Sequence, residues 1–573
     1  MTPDALPWRR ALGARPVGHG LAEFRVWAPR PDEVRLRVED REHGLEHAGH
    51  GVYEARVPAA AGARYVYVLD GEAVPDPCTR SQPDGLRGPS RLVDPGAWTW
   101  SDERFGGVPL RDLVLYELHV GTFTPEGTFD AAIPHVAALR ELGVTALELM
   151  PVAAGPGERG WGYDGVYPWA AHAAYGGPDG LQRLVDAAHE EGLAVILDLV
   201  LNHVGASGRR ALAAFGPYFT ERYGTFWGDA LNYDDADSDP VREWAIQGAE
   251  AWVRDLHVDG FRLDAVHAVY DSGPTHVLAE LADRVRGENP RALVIAESGL
   301  NDPRVIRPPE IGGWGHDAQW ADDFHHALRV LLTGERDGYY ADFDGVAPLA
   351  KAFHRPFVHD GEWSPFRRRV FGAPADDRPP EQFVVFSQNH DQVGNRAFGD
   401  RLPAEARPLA ALLVLLSPFT PLLFMGEEHG EEAPFLFFTD HIDPDIAEAT
   451  RAGRRREFAS FATFAEEVPD PQDRATFERS TLTREGDPAL RELYARLLGL
   501  RRELRTAPAR VTGWAEAPRH LRVERGPYEI VANLEEGDLA LPTARGEVVL
   551  TTHAASLDDG DVLLPGRGGA VLR

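Results

Sequence analysis

The sequence has almost no cysteine. Cys78 is the single one among 573 residues, so no disulfide can form within the chain and folding does not need an oxidising compartment. Residues 1–10 lack the basic-then-apolar order of a secretory signal. The longest apolar run, 410–425, is broken by Pro418 and Pro421 and falls short of the roughly 18 residues that a membrane span needs. We therefore expect a cytoplasmic protein with no membrane segment.

Basic residues are also in deficit. The 59 Lys and Arg face 90 Asp and Glu, which gives a net charge of -31. A surface this acidic repels phosphate backbones and anionic lipid headgroups. We therefore expect neither nucleic acid nor a membrane as a partner. A neutral sugar is not repelled. The same charge is equally explained by solubility alone. Hydrophobic residues make up 43% of the chain, enough for a large core spread over about three domains.

The two ends of the chain show the short alternating runs of β-structure. Near the start, apolar residues at 34, 36 and 38 alternate with charged ones, and further β-rich runs lie at 52–57 and 64–69. This pattern predicts a small antiparallel β-sandwich over residues 1–104. Short β-type runs return after Pro508 and predict a small C-terminal β-domain over residues 508–573.

The middle of the chain repeats a different order, in which a short buried strand is followed by a helix. An example is the helical pattern of 129–142, closed by Gly143. The predicted strands begin at Leu113, Val144, Ala194, Gly260, Leu293, Ala318, Phe383 and Leu422. Eight such units predict a (β/α)8 TIM barrel with insertions over residues 105–507. An open doubly wound sheet is the structural alternative.

Polar side chains stand where several of these strands end. Asp264, Glu297 and Asp391 follow the fourth, fifth and seventh predicted strands, and the residues flanking them are Arg262, His203 and His390. Because the strand ends of a TIM barrel form one face, which carries the active site, we expect these side chains to meet there. Each alone has an ordinary explanation. A strand-end Asp can cap a helix, Arg262 can be a structural ion-pair partner, and the histidines can be hydrogen-bonding spacers.

Two of the acids have the spacing of a glycosidase pair. Asp264 and Glu297 are 33 residues apart (297 − 264), close to one barrel unit of about 31 residues, and retention needs two carboxyl groups about 5 Å apart. Strand alternation points Arg262 the same way as Asp264, where a guanidinium keeps a nucleophile ionised. The apolar residues before Glu297 would raise its pKa, as an acid requires. From spacing alone, a glycosidase and a structural role remain equally open.

Four segments carry a resemblance to a known family. Residues 198–203, 260–267, 294–298 and 388–392 resemble, in order, the four sequence regions of the α-amylase family of glycoside hydrolases. The resemblance implies that Asp264 is the nucleophile, that Glu297 is the general acid/base and that Asp391 stabilises the distorted sugar. It also implies that Arg262, His203 and His390 hold the sugar in the innermost subsite and that Tyr163 stacks on its ring.

Further runs are similar to one branch of that family, the maltooligosyltrehalose trehalohydrolases. They begin at Trp161, Phe215, Asp264, Ala318 and Phe424. The resemblance implies cleavage of the α-1,4 bond next to the terminal trehalose of maltooligosyl-trehalose, with release of trehalose. It also implies that a separate synthase makes the substrate and that no cofactor or metal is required.

Other functions stay open at this stage. A glycogen branching enzyme has a similar front domain, and a catalytically inactive glucan-binding protein is a third possibility that the presence of all three acids disfavours. Between residues 205 and 240, the acids Asp229, Asp234 and Asp235 could bind calcium or could be turn residues. The same insertion and the loops near Trp314 and Glu427 are our candidates for recognising the 1,1-linked end.

Overall fold

The computed structural model describes residues 6–225, 227–458 and 468–573. Eight parallel strands, each paired with the next and the last with the first, close a barrel. They are Leu115–Leu118, Ala146–Leu149, Ala194–Leu199, Gly260–Leu263, Leu293–Ala296, Ala318–Trp320, Phe383–Val385 and Thr420–Phe424. The predicted TIM barrel is therefore confirmed, and its closure rules out the open doubly wound sheet. Of residues 1–10, considered above for a signal, 1–5 lie outside the described residues.

Three of the predicted strands start at a different residue, and the second barrel strand begins at Ala146 rather than Val144. The first barrel strand begins at Leu115 rather than Leu113, because Val114 donates its backbone N–H to the Thr145 hydroxyl at 2.7 Å and not to a neighbouring strand. The last begins at Thr420 rather than Leu422. Pro421 pairs with Val385 in the ladder although it has no N–H to donate. The strand therefore lacks one hydrogen bond at this proline but continues past it.

Helices cover the barrel and join its strands. The described α-helices are Val120–Phe123, Phe129–Leu142, Gly177–Glu190, Arg209–Phe215, Ser238–Leu256, Val277–Glu288, Asp322–Thr333, Val346–His354, His390–Gly394, Arg407–Leu415, Pro444–Phe458, Arg474–Arg479 and Pro488–Leu504. The second has the predicted bounds. Its N-terminus is capped by the Thr128 hydroxyl, which accepts the N–H of Ala131, and it ends at Gly143 with a φ of 116° that glycine adopts without strain. No helix among the described ranges is long and apolar enough to cross a membrane.

Antiparallel sheets flank the barrel at both ends of the chain. The N-terminal strands are Gly13–Gly18, Leu21–Trp27, Val34–Val38, Arg41–Gly44, Glu46–Gly49, Val52–Pro58, Arg64–Leu69, Glu72–Val74 and Ser90–Arg91, in two sheets. The alternation in Val34–Val38 buries its three apolar side chains, as the sequence predicts. The C-terminal strands are Ala509–Glu516, Arg519–Arg525, Tyr528–Asn533, Leu539–Pro542, Val548–Thr551, Ser556–Asp558, Asp561–Leu564 and Gly569–Leu572.

Short hairpins lie in the connections between barrel strands. They pair Ala153–Ala154 with Tyr167–Ala171, Phe219–Thr225 with Gly228–Leu231, and Glu362–Ser364 with Arg369–Phe371. Two of them lie in the connections that follow the second and third barrel strands, and the last lies between the sixth and seventh. Because these connections leave the carboxyl ends of the strands, they surround the barrel face on which the predicted site residues lie.

Candidate active site

Arg262 lies at the centre of the predicted site. Its side chain is buried, and its Nη1 donates to both carboxylate oxygens of Asp198 at 3.0 and 2.9 Å and to Oδ1 of Asp264 at 2.7 Å. Its Nη2 lies 3.8 Å from Oε2 of Glu297. One guanidinium therefore brings together carboxylates from the third, fourth and fifth barrel strands. Trp320, from the sixth, packs 4.5 Å from its central carbon.

The close approach of the fourth and fifth strands depends on Gly260. This residue has a φ of 152°, and a Cβ there would lie 2.0 Å from the backbone oxygen of Leu293. Since that distance is far below van der Waals contact, only glycine fits. The two strands pair in register, with Leu263 opposite Ala296, so the next residues, Asp264 and Glu297, leave their strands side by side.

The two carboxyl groups have different surroundings. Asp264 accepts the charged Nη1–H of Arg262, and an ionised donor stabilises the carboxylate form. Glu297 accepts the backbone N–H of Ala265 at 2.6 Å. Burial raises the pKa of Glu297, the nearby negative charge of Asp264 adds to this, and Arg262 opposes it. The arrangement favours an anionic Asp264 opposite a protonated Glu297, which is the division of roles that retention requires.

A chain of short hydrogen bonds runs from the first barrel strand to Arg262. Glu117 accepts Nδ1–H of His390 at 2.5 Å and its backbone N–H at 2.8 Å. Nε2 of His390 lies 2.7 Å from the Tyr163 hydroxyl, which donates to Asp198 at 2.6 Å. The rings of Tyr163 and His390 lie 5.2 Å apart at 23°. These contacts fix the orientation of the Tyr163 ring at the mouth of the barrel.

The charge of His390 is set by its partners. Burial opposes the imidazolium form, but the negative charges of Glu117 and Asp391 outweigh it and raise the pKa of His390 to about 9. Asp391 lies 3.6 Å from its Nε2 and accepts a hydrogen bond from Asn395 at 3.0 Å. Its side chain is 41% exposed, so Asp391 faces the open mouth of the site.

His203 is the remaining predicted site residue. Its Nε2 donates to the backbone oxygen of Tyr163 at 2.8 Å, and its ring stacks on Trp227 with 4.2 Å between centroids. Burial lowers its pKa, so the neutral ring is favoured. All seven predicted residues thus lie on one face of the barrel, within one network of contacts.

Two further acids belong to this network, and the sequence predictions gave neither of them a role. Glu117 is the penultimate residue of the first barrel strand, and Asp198 is the penultimate residue of the third. Asp198 starts the first of the four matched regions, and Glu117 has its partner, His390, after a distant strand. A third acid, Glu148 on the second strand, is buried beside Glu117 and Arg262, and burial raises its pKa well above its usual range.

We expect Glu117→Gln to lower the Tm more at pH 6 than at pH 9.5. Glu117 and His390 are both buried, and removing one partner of a buried pair costs about 3–5 kcal/mol. Because His390 has a pKa raised to about 9, its contribution to stability is complete below its unfolded pKa of about 6.5 and is lost as the pH rises through about 9. Thermal unfolding of both proteins at the two pH values tests this. A difference in Tm independent of pH would contradict it.

The acids considered as calcium ligands have other partners. Asp229 pairs with Arg209, Asp234 accepts hydrogen bonds from Tyr223 and Ser272, and Asp235 accepts one from Thr220. In the part of the chain that the structure describes, no group of three or more His, Cys, Asp or Glu is placed to hold a metal ion.

Of the three regions proposed for the 1,1-linked end, the insertion 205–240 and the loop near Trp314 line one open space near the site, to which the insertion contributes Tyr223. Trp314 lines a cavity of about 530 Å³ together with His267. Glu427 is buried, and Tyr494 and Gln388 donate hydrogen bonds to it at 3.3 and 3.4 Å. The carboxylate of Glu427 is therefore already hydrogen-bonded within the protein interior.

Comparison with known proteins agrees with this architecture. Residues 75–211 match the family model for the catalytic domain of alpha amylase. The solved structure of a putative alpha amylase from Salmonella typhimurium superposes with a TM-score of 0.90, is 39% identical, and covers 98% of this chain and 99% of its own. The closed barrel and these matches define the α-amylase class of glycoside hydrolases.

Curated relatives show which branch of the α-amylase class this chain is similar to. A malto-oligosyltrehalose trehalohydrolase of Arthrobacter ramosus is 47% identical over 96% of this chain and 99% of its own length, and one of Saccharolobus solfataricus is 45% identical over 88% of each. A 1,4-alpha-glucan branching enzyme of Nitratidesulfovibrio vulgaris is 29% identical over 74% of this chain and 72% of its own. The chain belongs to the malto-oligosyltrehalose trehalohydrolase family.

Proposed function

We propose that this protein hydrolyses the α-1,4 bond next to the terminal trehalose of maltooligosyl-trehalose, releases trehalose, and retains the anomeric configuration. The observation that carries the proposal is the family membership, at 47% identity over almost the whole chain. The pairing of Asp264 and Glu297 around Arg262 supplies the chemistry that the reaction needs.

In the first step the anionic carboxylate of Asp264 attacks the anomeric carbon. The glycosidic C–O bond breaks, and the proton of Glu297 passes to the oxygen that leaves with trehalose. Arg262 donates a hydrogen bond to the Asp264 carboxylate, and burial raises the pKa of Glu297, which favours its protonated form. The maltooligosyl unit remains attached to Asp264 as an ester.

In the second step a water molecule takes the place vacated by trehalose. Glu297, now a carboxylate, removes a proton from that water, whose oxygen attacks the anomeric carbon and frees Asp264. Two inversions restore the original anomeric configuration. One water is consumed, and each residue returns to its starting protonation state.

The remaining site residues hold the sugar that is being attacked. The Tyr163 ring, oriented by His390 and Asp198, is the platform for the pyranose face. Asp391 and the charged His390 bind hydroxyls on one edge of that sugar, and His203 binds on another. The negative charge of Asp391 also stabilises the positive charge that develops on the sugar ring in the transition state.

A branching enzyme would share the first step but pass the chain to a glucan 6-hydroxyl instead of water. The lower identity of the branching enzyme, 29% against 41–47% for the trehalohydrolases, favours hydrolysis. An inactive glucan-binding protein is disfavoured because Asp264, Glu297 and Asp391 are all present. We also propose that the protein acts in the cytoplasm, on a substrate made by a separate synthase.

We expect purified protein and maltotriosyl-trehalose to give equimolar maltotriose and trehalose. Because the reaction retains configuration, proton NMR at early times should show the new reducing end of maltotriose as the α-anomer. Amylose incubated in parallel is the control for branching activity. New α-1,6 bonds in amylose without release of trehalose would replace the hydrolase proposal with a branching enzyme, and binding without turnover would replace it with a glucan-binding protein.

A further inference from the structure

A residue in a strained backbone conformation directly follows the proposed nucleophile. Ala265 has a φ of 40° and a ψ of 50°, in the left-handed region. Residues with a Cβ atom seldom adopt this conformation, because the Cβ approaches a neighbouring carbonyl oxygen. Glycine would adopt it without strain, yet the sequence has alanine here. Such strain persists only where the surroundings enforce it, and it concentrates at functional sites.

The turn at Ala265 brings two successive backbone N–H groups to Glu297. Ala265 donates to Oε2 of the Glu297 carboxyl group at 2.6 Å, and Val266 donates to the backbone oxygen of Glu297 at 3.0 Å. The backbone N–H of Glu297 in turn donates to the Leu263 oxygen at 2.9 Å. The segment 263–266 therefore holds both the main chain and the carboxyl group of the proposed acid.

The two oxygens of the Glu297 carboxyl group have different contacts. Oε2 accepts the N–H of Ala265 and lies 3.8 Å from Nη2 of Arg262. Oε1 receives no hydrogen bond from residues 6–225, 227–458 or 468–573. A protonated carboxyl group has one hydroxyl oxygen and one oxygen that only accepts. Because Oε2 faces an N–H group and a guanidinium, it is the accepting oxygen, and the proton lies on Oε1.

Charged side chains from several segments also surround Glu297. Burial has the largest influence and raises its pKa, neighbouring acids raise it further, and basic neighbours lower it. These charged side chains are Arg262, Asp264, His267, Asp391 and the buried Asp322. They determine how readily the carboxyl group as a whole loses its proton. The hydrogen bond from Ala265 differs from them because it contacts one oxygen only.

We propose that Ala265 is a positioning residue for the acid/base steps: its backbone N–H holds Oε2 of Glu297 as the acceptor and leaves the catalytic proton on Oε1. This inference rests on the proposed function. In the first step the proton passes from Oε1 to the glycosidic oxygen as its bond to the anomeric carbon breaks, and the N–H of Ala265 stabilises the carboxylate that forms. In the second step Oε1 takes a proton from the attacking water.

The test removes this N–H and keeps the side chain. L-Lactate incorporated in place of Ala265 by stop-codon suppression replaces the amide with an ester, which has the same methyl group and no donor. The measured quantity is the alkaline midpoint of kcat/KM for maltotriosyl-trehalose, which reports the protonation of Glu297 in the free enzyme. A hydrogen bond to the carboxylate favours that form, so its loss raises the pKa of Glu297. We expect the midpoint to rise by about one pH unit.

L-Lactate in place of Ala268 is the matched control. Ala268 donates its N–H to the backbone oxygen of Ala265 at 2.7 Å, so this ester removes a hydrogen bond of the same turn that does not reach Glu297. The alkaline midpoint should stay at the wild-type value. A general loosening of the turn would shift both esters alike, whereas loss of the donor to Glu297 shifts only the first.

Two ordinary substitutions decide the matter if the ester at position 265 does not fold. Valine is strongly disfavoured in the left-handed region, so Ala265→Val should displace the N–H from Oε2 and raise the alkaline midpoint. Glycine adopts the region freely and keeps the N–H, so Ala265→Gly should retain the wild-type midpoint. A midpoint that is the same in both variants would overturn the positioning role.

The remaining outcomes separate this inference from the proposed function. An unchanged or lowered midpoint with lactate at 265, or an equal rise with lactate at 268, would overturn the role of Ala265 alone. Wild-type protein that cleaves amylose without releasing trehalose from maltotriosyl-trehalose would overturn the proposed substrate alone, since the midpoints are then measured on amylose. Wild-type protein that cleaves neither glucan would overturn both.

Discussion

Asp264→Ala should lower kcat/KM for maltotriosyl-trehalose by about four to six orders of magnitude, the loss seen when a covalent nucleophile is removed. Arg262 keeps Asp198 as an ion-pair partner, so the fold should persist. The Tm and the far-UV circular dichroism spectrum of the variant provide the control. Near-normal turnover would show that Asp264 is only the structural partner of Arg262.

The same variant allows a more specific measurement. Removing the carboxylate leaves space on the attacking face of the sugar, so sodium azide should restore turnover of α-maltotriosyl fluoride. Because azide attacks directly and no second displacement follows, the product should be the inverted β-glycosyl azide. An α-glycosyl azide as the product would mean that another residue forms the covalent intermediate and that Asp264 has been misassigned.

The second large effect is expected for Glu297→Gln, about 10²–10⁴-fold in turnover of maltotriosyl-trehalose, the usual contribution of a general acid. Fluoride departs without protonation, so α-maltotriosyl fluoride should still load Asp264. The second step lacks its base, and the maltotriosyl ester should accumulate as a mass increase on the intact protein. Equal loss of the loading rate with both substrates would argue against Glu297 as the acid.

The pH dependence gives an independent check on Glu297. Burial and the charge of Asp264 raise its pKa, and the acid works only while protonated, so kcat/KM should fall as the pH rises through that raised value. Loading by the fluoride should not show this alkaline limb, since it needs no proton from Glu297. If both substrates lose activity at the same pH, the titrating group is not the acid catalyst.

Much of the fold follows from local patterns in the sequence. The helix Phe129–Leu142 has the bounds predicted from its apolar spacing and closing glycine. Barrel strands such as Ala194–Leu199 and Leu293–Ala296 are short buried runs between helices, and their starts were predicted to the residue. The errors at Leu113, Val144 and Leu422 arose because pairing depends on a neighbouring strand or on the Thr145 hydroxyl, which the local sequence does not reveal.

The site residues also divide into those that the sequence could predict and those that it could not. Asp264 and Glu297 could be predicted because adjacent strands place them at a fixed spacing. Glu117 was missed because its partner, His390, is 273 residues away in sequence and becomes a neighbour only when the first and seventh strands meet across the closed barrel.

The hydrogen-bonded chain from Glu117 through His390, Tyr163 and Asp198 to Arg262 has a consequence for how this protein can change. Its hydrogen bonds connect segments from five of the eight barrel units at the carboxyl ends of the strands. The residues proposed to hold the substrate therefore also hold these segments in place. Substitutions of these residues should therefore lower both the turnover rate and the stability of the barrel.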